Sequence, residues 1–117
     1  MMSETTTGGR SAQRFGSVTR LLSNHKGEYL RLHADVWPDV RHAIRDHGVV
    51  NHSIFYFDGL LFRYYEYIGQ DHSKDSDAMA QDPRMVDWFA ATDRCQENAL
   101  GHAGPKWSAA AEVCHLD

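Results

Sequence analysis

The chain has 117 residues, 42% of them hydrophobic and 24% charged, with a formal net charge of −4. That is the length of one domain around one core, and the hydrophobic share excludes wholesale disorder. The twelve Lys and Arg residues form no basic run, which argues against nucleic acid, and no window of about 18 apolar residues exists to span a membrane.

Residues 1–12, MMSETTTGGRSA, are small and polar and read as a disordered tail, leaving residues 13–117 as a single domain. RFGSVTRLL, Arg14 to Leu22, has strand character, with Phe15, Ser17, Thr19 and Leu21 on one face. Ser23 and Asn24 then offer N-cap oxygens to a helix. Tyr29, His33, Val36, Trp37, Val40 and Ile44 form one stripe at helical spacing. Pro38 lacks an N–H and disfavours helical geometry before it, so the helix should kink or restart near Trp37. Gly48 ends it.

NHSIFYF-DG-LLFRYYEYIG follows, two β-branched and aromatic runs around Asp58-Gly59, the dipeptide of two-residue type I′ hairpins. That turn predicts Phe57 opposite Leu60, Phe55 opposite Phe62, Ser53 opposite Tyr64 and Asn51 opposite Glu66, all on one face. Ile54, Tyr56, Leu61, Arg63, Tyr65 and Tyr67 take the other. Large side chains on both faces imply that both are covered.

The acidic stretch from Asp71 to Asp77 reads as a loop. Asp82-Pro83 supplies the N-cap and first position of a second helix, with Met85, Trp88 and Phe89 on its apolar side. Asn98 to Lys106 is a Gly- and Pro-containing loop, and Ala111 to Leu116 a short closing strand. The order is βαββαβ, that of a ferredoxin-like α+β sandwich with a four-stranded antiparallel sheet and two main helices on one face. The aromatic rings left on the open sheet face predict a homodimer packed through it.

Cys95 and Cys114 stand alone and read as reduced thiols of a cytoplasmic protein. Eight histidines invite a metal, but His42 and His47 are five apart, and neither HExxH nor a Cys-His cluster is present, so no metal is expected.

Tyr29 and His33 are stacked helical neighbours on a stripe that should face the sheet. With Asn51 and Glu66 at one end of a hairpin face, they would give an apolar wall a few convergent polar groups, the common form of a ligand site. Trp88 or Phe89 would offer an apolar surface to a small ring. Trp37-Pro38 reads as structural.

EYLRLHADVWPDV, NHSIFYFDGLLFRYYEY, the DWFAATDRCQ stretch and the terminal EVCHLD, in that order, resemble the L-rhamnose mutarotase family from about Arg14 to Asp117. The resemblance implies a dimeric α+β barrel and a cofactor-free interconversion of the α and β anomers of a 6-deoxyhexose such as L-rhamnose or L-fucose. It places His33 as the proton donor and Tyr29 as a substrate-binding tyrosine. It also places His52 where the family carries a sugar-contacting tyrosine, Trp88 and Phe89 where it carries paired tryptophans, and Cys114 where its ending carries an aromatic residue. On a regular hairpin His52 faces away from Asn51 and Glu66, so both sets line one pocket only where the strand is bulged.

The expected chemistry has His33 protonating the ring oxygen and Glu66 or a water taking the anomeric proton. An imidazole populates both protonation states near neutrality, which suits a reversible donor. A cofactor-independent monooxygenase on the same barrel, or a non-catalytic dimeric binding module, is the competing reading, since fold alone does not separate them.

Overall fold

The computed structural model describes residues 12–117. The expected tail, save for Ala12, lies outside them. Strand β1, Gln13–Leu21, runs into a 3₁₀ turn at Ser23–His25 and then α1, Lys26–Ala34. The sequence expectation of a side-chain cap at Ser23-Asn24 is not met: no side-chain cap bond forms, and the 3₁₀ turn tightens the entry instead. Trp37 is extended (ψ 136°), as the residue before a proline must be, and Pro38 opens α2, Pro38–Asp46. The long helical stripe is therefore two helices.

Gly48 (φ +89°) turns the chain into β2, Val49–Phe57, which pairs with β3, Leu60–Tyr67, through Asp58 and Gly59, both at positive φ (51° and 82°). The expected register holds from the turn to Ser53↔Tyr64 and then shifts. Val50, not Asn51, opposes Glu66, so Asn51 and His52 together face Tyr65 in a β-bulge, with Asn51 at φ 50°.

The acidic stretch is not a loop. Asp71 accepts from the Lys74 N–H and caps α3, His72–Ala80. Asp82 caps α4, Pro83–Asp93, as expected. The closing strand is displaced from its expected place: two short strands, β4 (Gln96–Glu97) and β5 (Ser108–Ala110), both pair with β1, and residues 111–117 form no strand. The loop between β4 and β5 is tied down by Lys106, whose Nζ donates to the carbonyls of Asp93 and Gln96.

The sheet runs β2-β3-β1-β4, with β5 beside β1, the strand order of a ferredoxin-like sandwich. Its helix side carries Phe15, Ser17, Thr19 and Leu21 of β1 against Tyr65, Arg63 and Leu61 of β3, as the alternation predicts. The core on that side is divided. Leu21, Tyr29, Leu61 and Cys95 form one buried cluster with Ile54 and Trp107 against it. Val40, Ala43, Met85 and Trp88 form a second, flanked by Val36, Ile44, Met79 and Phe89. Cys95 and Cys114 are free.

Candidate active site

Between the two apolar clusters lies a cavity of about 670 Å³, lined by residues of both. That is room for a monosaccharide. Tyr29 and His33 stand on its α1 wall, their rings stacked with centroids 4.1 Å apart. His33 Nδ1 lies 2.9 Å from the Tyr29 carbonyl. A carbonyl can only accept, so Nδ1 carries the proton and Nε2 keeps its lone pair in the neutral ring. Nε2 has no partner among the described residues and is not sealed from solvent. Burial holds the His33 imidazole below its ordinary pKa, opposed by the bond to Tyr29.

The Trp88 ring meets the His33 ring edge-on at 5.1 Å and that of Trp37 at 5.2 Å. Trp37 therefore does more than precede the helix break: its ring packs against the indole that packs against the histidine. Trp88 is 6% exposed and belongs to the core as well as to the cavity wall, and Phe89 lines the wall beside it.

Tyr29 is buried, and its hydroxyl accepts from Gln96 Nε2 at 3.0 Å. That contact leaves the phenol proton free to donate. Burial pushes the phenol up to about 12, so it stays protonated across the physiological range. Gln96 Oε1 is buried with no hydrogen-bond partner among the described residues.

The bulge brings Asn51 and His52 to the same cavity. His52 stands exposed at the mouth. Desolvation by its neighbours, then the charge of Arg63, then His33, push its imidazole down to about 4. It enters as a neutral polar ring.

Glu66 does not join them. It sits on the sheet face away from the helices, beside Tyr64, and the cavity lining excludes it. The Tyr64 hydroxyl and Asn51 Nδ2 donate to its two oxygens at 2.6 and 2.8 Å. Those bonds hold its carboxyl below the usual range, which makes it a weak base as well as a distant one. Alternation along β3 puts Glu66 on the outer face; the expectation needed that face to meet the helices, and it does not.

Arg63, Tyr65, Gln96 and Trp107 also line the cavity. Alternation had grouped Arg63 and Tyr65 on the hairpin face opposite Asn51 and Glu66 without fixing which face meets the helices, and a cation among aromatic residues there was the available signal. Periodicity gave no signal for Gln96, in a two-residue strand, or for Trp107, in the loop before β5. Helix α3 contributes Ser76 and Met79 and is held by β3: Tyr65 Oη lies 2.7 Å from His72 Nε2, and the Tyr67 hydroxyl donates to Asp75.

A group of His25, Glu28 and Cys95 could offer three metal ligand atoms within 4.8 Å of one another. Arg94 already occupies Glu28, and the Cys95 thiol is buried and pushed up by desolvation, so the group fits an ion pair and a core packing contact better than a cation. No helix among the described residues is long and apolar enough to cross a membrane.

Comparison with known proteins falls on one side. The family model described as L-rhamnose mutarotase matches residues 14–116. An L-rhamnose mutarotase of Listeria monocytogenes is 30% identical over 87 residues, covering 73% of this chain and 71% of that protein. One of Lactiplantibacillus plantarum is 36% identical over 55 residues, 45% of this chain and 53% of its own. Among solved structures, an L-rhamnose mutarotase from Formosa agariphila superposes with a TM-score of 0.69 at 20% identity, covering 90% of this chain and 99% of that one. A putative antibiotic biosynthesis monooxygenase from Nitrosomonas europaea superposes with a TM-score of 0.53 at 12% identity, covering 88% and 93%; it shares the fold alone. With nearly the whole domain matched, the chain belongs to the L-rhamnose mutarotase family.

Proposed function

We propose that this isomerase opens and recloses the pyranose ring of a 6-deoxyhexose, L-rhamnose or L-fucose, with His33 moving the proton. The observation that carries the reading is a histidine whose Nδ1–H is committed to a backbone carbonyl while its Nε2 is left free on an unfilled cavity. In the resting neutral ring Nε2 is a base. It takes the proton of the anomeric hydroxyl as the C1=O bond forms and the bond from C1 to the ring oxygen breaks. The imidazolium so formed returns the proton to the departing ring oxygen, which becomes the C5 hydroxyl. Both oxygens are bonded to C1 in the closed sugar, so one imidazole reaches both, and no net proton is consumed. Rotation about C1–C2 presents the other carbonyl face, and the same steps in reverse close the ring.

In this scheme Glu66 has no part, and the histidine serves as base before it serves as acid. The Tyr29 phenol donates to a sugar hydroxyl, and Asn51 and His52 contact the sugar at the cavity mouth. Trp88 and Phe89 pack against the ring and its methyl group. Positioned proton transfer of this kind contributes ~10²–10⁴-fold, ample for a reaction that water already supports slowly. The scheme calls on no cofactor, and its setting is cytoplasmic.

A homodimer belongs to the same proposal. Phe55, Phe57 and Phe62 lie on the uncovered face of the sheet and are 63%, 71% and 40% exposed, which a second copy packed face to face would bury.

Saturation transfer between the two anomeric proton signals tests the reading directly, with L-rhamnose and L-fucose each measured with and without the protein. Added protein should accelerate exchange of one or both sugars, and His33→Ala should abolish the acceleration while the protein stays folded. Oxygen uptake with phenolic substrates and no anomeric exchange would replace the mutarotase by a monooxygenase.

A further inference from the structure

The cavity holds a cation that ring opening does not require. Arg63 projects from β3 into the same end of the site as Tyr29 and His52, whose ionisation its charge influences. Its Nε donates to Ser17 Oγ at 3.0 Å, and its plane is held over the Trp107 ring at 4.3 Å with the Tyr65 ring at 5.4 Å. The stem is thus fixed on three sides. The terminal N–H groups have no hydrogen-bond partner among the described residues, and no carboxylate there pairs with the guanidinium. Burial lowers its pKa from the ordinary value, and a guanidinium keeps its proton in proteins, so a charged, largely desolvated fork stands at a ligand cavity with its outer edge open. Arg41 and Arg45 of α2 line the cavity too, also outside any ion pair among the described residues, against the single carboxylate of Asp93.

A 6-deoxyhexose offers such a site only neutral hydroxyls and a methyl group. The fork of Arg63 matches a carboxylate, which accepts two parallel N–H bonds and supplies the missing charge. We propose that Arg63 is a specificity-determining residue that binds a carboxylate on the sugar, so that the site accepts an aldohexuronate and prefers it to a neutral 6-deoxyhexose. Turnover of that substrate rests on the mutarotase reading, since the chemistry at the anomeric carbon is the same; its binding does not.

Two measurements separate the two. Calorimetric binding of D-glucuronate, D-galacturonate and D-mannuronate against L-rhamnose tests the carboxylate site without any turnover. At least one uronate should bind tenfold or more tighter than L-rhamnose, with an affinity that weakens as salt is raised because the rim charges are screened. Anomeric exchange of the same sugars tests turnover. Arg63→Ala should lower the uronate-to-rhamnose preference by tenfold or more, and Arg63→Lys, which keeps the charge but not the fork, should restore only part of it.

Equal or weaker binding of all three uronates by the native protein overturns the proposal. So does an Arg63→Ala protein, folded by circular dichroism, that loses both sugar classes equally, since Arg63 would then hold hydroxyls. Salt-sensitive uronate binding with no exchange of any sugar would uphold the carboxylate site and reject the mutarotase.

Discussion

The two faces of the β2–β3 hairpin are built from the same kinds of residue and do different work. The helix-facing side carries Leu61, Arg63, Tyr65 and Tyr67, of which Leu61 and Tyr67 are sealed and Arg63 and Tyr65 reach a cavity. The opposite side carries Phe55, Phe57 and Phe62, all exposed, with Tyr64 half-buried beside Glu66. What separates them is the helical layer on one side, and one bulge. At Asn51 and His52 the strand spends two residues opposite Tyr65. The bulge lets both residues line the cavity while Glu66 stays on the far side with Tyr64. Aromatic content alone does not say which face meets the helices and the cavity.

The sharpest way to break the helix-facing side is His33→Ala. We expect a ~10²–10⁴-fold loss of anomeric exchange, with the native circular dichroism retained. A variant that unfolds would reassign His33 to the core. On the other side, Phe62→Glu puts a charge at the centre of the exposed aromatic face. It should convert a dimer to a monomer in analytical ultracentrifugation. A native chain that already sediments as a monomer at micromolar concentration would end the homodimer reading.

Gly48→Ala tests the corner that feeds both faces. Gly48 is at φ +89°, and a Cβ there would lie 2.8 Å from the Tyr67 ring, which is packed and cannot yield. Strain and overlap together should cost about 1–3 kcal/mol in denaturant unfolding.

Acid separates the faces as well. His33 and His52 both have folded pKa values below the 6.5 of a free imidazole, His52 at about 4. The unfolded chain therefore binds protons first as pH falls, and the stability these rings contribute is present above pH 6.5 and lost progressively toward about pH 4. Activity should follow the same direction, with an acid limb in kcat/KM whose midpoint lies below 6.5, because the base form of His33 is the competent one. An acid limb centred above 7 would contradict a neutral resting His33.

Much of this was legible in the sequence for a physical reason: turn chemistry and alternation are local. Asp58-Gly59 set the hairpin and its first pairs, Pro38 set the helix break, and Asp82-Pro83 set the start of α4. The stripe of Tyr29 and His33 led to the cavity because helical spacing is equally local. Three features were not legible. Helix α3 has no buried residue and hence no apolar stripe; the Asp71 cap and the tyrosine contacts from β3 hold it. The fourth strand is split into pieces of two and three residues, too short to show a period. The bulge carries no glycine, and Asn51 takes φ 50° with only the tolerance of asparagine for that region to signal it.

The smallest and most discriminating test is Glu66→Gln. On an unbroken hairpin Glu66 shares a face with Asn51 and, if that face met the helices, would stand beside the substrate as the base; its neutral amide would then cost orders of magnitude in rate. Alternation along β3 instead sets Glu66 on the outer face, where it accepts from Tyr64 and Asn51. The substitution should change anomeric exchange less than about threefold, because a proton-transfer role worth ~10²-fold is not at stake. Its effect should fall on the far face instead. The amide oxygen still accepts from Asn51 and the amide N–H donates to the Tyr64 oxygen, so both contacts survive with the acceptor charge lost, at a cost of about 1 kcal/mol. A hundredfold fall in exchange with stability unchanged would put the carboxylate back in the chemistry.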